Sequence, residues 1–152
     1  MAAAARGGAV AEVGGGDGTA GPKDGVVYLA IPLRNAGSGL AVLHGWVFYP
    51  EWHRSEHPPQ LDEFQQQTRD LYVPPGDTGF WQGTIRDPHD PRYEGARKAI
   101  EARESWTVDL LYGDQEGGQR AVTRFSALPH GEHWLTAQSR HWNIDQPDPR
   151  RR

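Results

Sequence analysis

The densest supply of metal-capable side chains in this 152-residue chain lies in Glu51-Trp52-His53-Arg54-Ser55-Glu56-His57, where His53 and His57 would share one face of a helix. A zinc-hydrolase helix of the H-E-x-x-H type needs a glutamate directly after its first histidine to serve as base. Arg54 stands in that position, and Pro50 and Pro58-Pro59 bracket the segment, so it reads as a solvated loop. His133 and His141 fall on one face of a strand, but eight residues at strand rise put them about 26 Å apart, too far for a shared ion. His130 with His133 is too sparse a pair to hold a metal. The acidic turn from Asp114 to Glu116 lacks the regular oxygen spacing and the bidentate closing glutamate of a calcium loop.

Nucleophilic and phosphate chemistry fare no better. The chain has no cysteine, which excludes thiolate zinc sites, iron–sulfur clusters, disulfides and cysteine nucleophiles together. None of Ser38, Ser55, Ser105, Ser126 and Ser139 sits in G-x-S-x-G. Gly37 and Gly39 do not belong to a G-x-G-x-x-G that opens a helix. We therefore expect no catalytic residues, no metal and no cofactor, and a chain that is not an enzyme. Sixteen Lys and Arg against twenty Asp and Glu give a net charge of −4, the wrong sign for gripping phosphates, so nucleic acid is not an expected partner.

Six tryptophans remain as binding candidates. Trp46 and Trp106 lie within apolar alternation and read as core. Trp52, Trp81, Trp134 and Trp142 are the rings that could stack against a sugar or another small ligand on a sheet face.

The elements that must position these side chains are mostly strands. From Val26 to Arg34, the residues Val27, Leu29, Ile31 and Leu33 alternate as in a half-buried strand, with Pro32 predicting a sheet edge or a bulge. Leu40–Tyr49 carries apolar residues on both faces, which predicts a central strand, with Gly45 at a bulge or close approach. Leu61, Phe64, Thr68 and Leu71 could form a helical stripe, while Arg69 to Val73 reads equally as a strand. Pro74-Pro75-Gly76-Asp77 is a turn, followed by a strand from Thr78 to Arg86 with Trp81 and Ile85 on one face. Asp90-Pro91 opens one short helix to about Arg103. Ser105–Gly113 and Gln119–Leu128 form the clearest hairpin, and Trp134 to about Ile144 supplies a last strand.

That count predicts a mainly β fold, an immunoglobulin-like antiparallel β-sandwich of about seven strands with one short helix, over residues 25–146. Residues 1–24 read as a disordered Ala/Gly-rich tail and 147–152 as a disordered basic tail ending in Arg150, Arg151 and Arg152. The opening residues lack a basic region followed by a continuous apolar one, and no stretch approaches the ~18 apolar residues of a membrane span. A cytoplasmic or membrane-peripheral location is expected.

The phrases LAIPLRNAGSGLAVLHGW, YVPPGDTGFWQG and VDLLYGDQEGGQ, in that order, resemble β-sandwich domains of uncharacterised bacterial proteins, in which the domain often follows one or two transmembrane helices. The resemblance spans about Val26 to Ile144 and rests on strand and turn residues such as Asn35, Gly37, Pro75, Gly76, Tyr112 and Gly117. It implies a fold and no chemistry. The helices are lacking here, so membrane association is expected only through a partner or through missing helices. The leading expectation is a non-catalytic protein-interaction domain; a carbohydrate or small-ligand binding module is the second.

Overall fold

The computed structural model describes residues 11–12, 16–23, 25–35, 39–114 and 119–145. Among them are nine antiparallel strands and one α-helix: β1 Ala11–Glu12, β2 Gly16–Lys23, β3 Val26–Asn35, β4 Ala41–Tyr49, β5 Gln65–Val73, β6 Thr78–Ile85, α1 Pro91–Glu101, β7 Trp106–Gly113, β8 Ala121–His130 and β9 His133–Asn143. The strands make a two-sheet sandwich, as expected, with nine strands in place of about seven. One sheet holds β1, β2, β3 and β6; the other runs β2, β9, β8, β7, β4, β5. No helix among the described residues is long and apolar enough to cross a membrane.

Strand β2 joins the two sheets and lies ahead of residue 25, the expected start of the folded domain. Its residues Gly16–Gly18 pair with Thr136–Trp134 of β9, and Thr19–Lys23 pair with Ala30–Val26 of β3. The segment carries no large apolar residue, so hydrophobic periodicity cannot reveal it. It is held by backbone ladders to β3 and β9, whose side chains already belong to the core. Of the expected tail at 1–24, residues 1–10, 13–15 and 24 lie outside the described residues, as does the whole of the expected tail at 147–152. Deleting residues 1–23 is expected to lower the melting temperature by more than about 5 °C, since the cut bares the β3 and β9 edges. A truncated chain that melts with the full one would show the joining strand to be dispensable.

The core forms where the alternation placed it. Val27, Leu29, Ile31 and Leu33 of β3 share one cluster with their sheet neighbours Trp81 and Ile85 of β6, with Trp46 and Phe48 of β4, and with Trp106, Val108 and Leu110 of β7; Ala96 and Ile100 of α1 belong to it too. Gly45 marks a bulge in β4, and that extra residue brings Ala41 and Leu43 onto the same buried side as Trp46 and Phe48. A Cβ at Gly45 would lie 2.8 Å from the Gln65 carbonyl oxygen. Strand β3 is not an edge, the first of the two alternatives that Pro32 left open: β6 flanks it on one side, β1 and β2 on the other. Pro32 falls between the β1 and β2 ladders, where no pairing partner is described on that side.

Leu61–Glu63 forms a 3-10 turn and Gln65–Val73 a strand, which settles the ambiguous segment. Asn35, buried at the end of β3, donates from Nδ2 to the Gly39 oxygen at 2.7 Å and the Val73 oxygen at 2.8 Å. Asp90 caps α1 by accepting from the Arg92 N–H.

Candidate functional site

The central strand β7 is buried along its whole length. Trp106, Val108, Leu110 and Tyr112 face the core, so Thr107, Asp109 and Leu111 point the other way and need a second cover. The loop from Pro50 to His57 supplies it for Thr107 and Asp109: Glu51, Trp52, Arg54, Glu56 and His57 are exposed, as expected of a solvated loop, while its backbone lies against the sheet. Thr107 Oγ1 donates to the Glu51 carbonyl oxygen at 2.8 Å and accepts from the His53 N–H at 3.0 Å. Beneath this cover Asp109 and Arg124, cross-strand neighbours in the β7–β8 ladder, form a bidentate ion pair with both contacts at 2.7 Å. The two side chains are 0% and 1% exposed.

Further contacts close the cluster. Arg124 Nη1 donates to the Ser55 carbonyl oxygen at 2.7 Å, and Trp142 Nε1 donates to that of Glu56 at 3.1 Å. The Tyr49 hydroxyl donates to Asp109 Oδ2 at 3.2 Å, and the His53 ring stacks on Tyr49 at 3.8 Å. The Arg124 guanidinium lies 5.5 Å from the Tyr49 ring centre and 5.0 Å from that of Trp142. Burial, and then the Asp109 charge, push the Tyr49 hydroxyl well above the ordinary phenol range. The unfolded phenol ionises near pH 10 and the folded one later, so the native state should lose stability as pH rises above 10. Denaturant melts across that range should show a slope that Tyr49→Phe removes.

This cluster uses its donors and acceptors internally and is a structural clamp. His53 contacts Glu51 Oε2 at 3.3 Å, while His57 is exposed and does not join it. Among the described residues no three His, Asp or Glu side chains gather into a metal-binding group.

The four candidate tryptophans are not brought together. Trp81 is fully buried and meets Trp46 edge-on at 5.4 Å; Trp134 is 2% exposed and packs beside Trp106. Both are therefore core residues, withdrawn from any stacking surface because they alternate in phase with the buried faces of β6 and β9. Trp142 roofs Arg124. Trp52 alone of the four is largely exposed, at 47%, with the Arg54 guanidinium 5.3 Å from its ring. Trp52→Ala should shift stability by no more than about 0.5 kcal/mol in a denaturant melt.

An open cleft of about 780 Å³ lies elsewhere, at the seam where β5 and β6 fail to pair. Its apolar part comes from Leu29, Trp46, Leu71 and Gly83, its polar part from Gln65, Gln67, Gln82 and Thr84, and Tyr28, Phe80 and Arg86 border it as well. Tyr28 and Phe80 are 41% and 57% exposed. The seam opens because β5 bulges: residues 67–70 stand opposite the single residue His44 of β4, between the Gly45–Gln66 and Leu43–Leu71 pairs. Gln67 Nε2 reaches across to the Gln82 carbonyl oxygen at 3.4 Å. Arg92 holds the far wall, donating to Gln65 Oε1 and lying 5.4 Å from the Trp46 ring centre. Sequence reasoning missed this cleft. Its signals were the polar run Gln65-Gln66-Gln67 within a strand and the small Gly83 beside Trp81.

No protein-family model and no curated protein matches the chain.

Proposed function

We propose that the chain is a non-catalytic protein-interaction module that receives its partner at the β5–β6 seam. The observation that carries this reading is a cleft bordered by two strands, each paired on one side only among the described residues. Sandwiches of the immunoglobulin-like kind offer partners such edges, and exposed aromatics such as Tyr28 and Phe80 give an interface its anchors. The inward consumption of Asp109, Arg124 and Tyr49 supports a binding role over a catalytic one. The three glutamine amides beside aromatic rings favour a second reading, a carbohydrate or small-ligand module. The scattering of Trp52, Trp81, Trp134 and Trp142 weighs against the broad stacking platform that reading invoked.

The two readings separate by photo-crosslinking. Benzoylphenylalanine placed at Phe80 of the full chain, in extract of the source cells, should yield discrete protein adducts that the same group at exposed Leu61 does not. Matching adduct patterns at the two positions would overturn the seam as the interaction site.

A further inference from the structure

We infer that the β5–β6 seam binds an extended, acidic segment of a partner protein, which adds as a strand to the free edge of β6. This rests on the interaction reading above and names the chemistry of its ligand.

Register identifies the groups on offer. The Gln82 carbonyl turns away from β3, toward Gln67, although Gln82 stands opposite Ala30 in the β3–β6 ladder. In an antiparallel pair the N–H and C=O of one residue point to the same side, and successive residues alternate. Phe80, Gln82 and Thr84 therefore all present their backbone groups along the open edge. The cleft borders Phe80, Gln82 and Thr84 from the outer face of β6 and Gly83 from its core face, so it follows the edge itself.

Gln67 acts as a placeholder there. Its amide nitrogen occupies the Gln82 carbonyl through a long bond, while its Oε1 is shielded from solvent without a hydrogen-bond partner. A shielded acceptor without a donor is costly, and a backbone N–H entering the seam would satisfy it. An extended peptide supplies N–H and C=O groups at the right repeat for both Gln67 and the β6 edge. A sugar or an apolar ligand offers no such repeat.

Charge selects the class of peptide. Arg86, at the end of β6, is the only charged side chain among the described residues that line the cleft, and it is in no ion pair among them. No described carboxylate lines the cleft, although acidic residues outnumber basic ones in the chain. A carboxylate near one end of the added strand would complement Arg86.

The test pans a phage-displayed library of random dodecapeptides against the full chain, Gln82→Pro and Arg86→Glu. A glycan array is probed in parallel. Proline at position 82 deletes an edge donor without touching the β3 ladder, and position 86 is exposed, so both variants should melt as the parent does. The parent should enrich β-prone peptides containing Asp or Glu. A synthetic peptide of the consensus should bind Gln82→Pro about tenfold or more weakly, as leaving a buried hydrogen-bonding group unpaired implies. Arg86→Glu should weaken it about fivefold, the scale of an exposed ion pair, and should select basic peptides in its own panning. Amide exchange at Phe80, Gln82 and Thr84 should slow in the peptide complex. A consensus lacking acidic residues, equal binding by the parent and Gln82→Pro, or no enrichment overturns the strand-addition inference. No peptide enrichment together with capture of neutral oligosaccharides overturns the interaction reading beneath it.

Discussion

Replacing Asp109 with Ala is expected to cost about 3 to 5 kcal/mol, because it strands the Arg124 guanidinium without a countercharge under the cover of the 50–57 segment. Among the described residues Arg124 would keep its bond to the Ser55 carbonyl and its contacts with Tyr49 and Trp142. Arg124→Ala should be comparably severe, since the Asp109 carboxylate would then hold only the Tyr49 hydroxyl. A total stability of about 5 to 15 kcal/mol leaves either variant near the edge of unfolding. The pair itself is not the source of that cost. Replacing both residues together, as Asp109→Leu with Arg124→Met, removes the desolvation of both charges and should recover most of the loss. Denaturant melts of the two single variants and the double variant check this. Additive losses in the double variant would mean that the cluster is hydrated and that the 50–57 segment does not seal it.

How much of this was legible follows from the range of each signal. The β7–β8 hairpin could be read because Trp106, Val108, Leu110 and Tyr112 repeat with the period of a strand and Gly-rich residues follow; it does lie at the sheet centre, with Asp109 opposite Arg124. That register itself held a clue, an acid and a base facing each other midway along the most apolar hairpin. The cover over them was invisible, because Arg124 meets Ser55 across 69 positions and Trp142 meets Glu56 across 86. Local patterning reports which face a residue takes, not what lies on that face. Strand β2 was missed for a related reason: Gly16-Asp17-Gly18-Thr19-Ala20-Gly21 is ordered by backbone ladders, and ladders leave no mark in side-chain hydrophobicity. The cleft depends on a bulge in β5, and residues 67–70 carry no glycine or proline to announce one.

Trp106→Ala is the second large effect expected. Trp106 is fully buried, opposite Ala127 in the ladder, with the Phe48 ring centre at 6.0 Å and that of Trp134 at 6.2 Å. Truncation forfeits the transfer free energy of an indole and leaves a cavity between rigid sheets that cannot collapse, together about 3 to 5 kcal/mol. Trp106→Phe should cost much less. It keeps a ring in the cavity and discards an indole N–H that has no hydrogen-bond partner in the structure. Trp52→Ala is the internal control, an equal deletion of atoms at a site where the ring lies half in solvent. The three melts rank core against surface without reference to any ligand. If Trp52→Ala proved costlier than Trp106→Ala, the register that sets Trp106 opposite Ala127 would be wrong, and with it the face on which Asp109 and Arg124 meet.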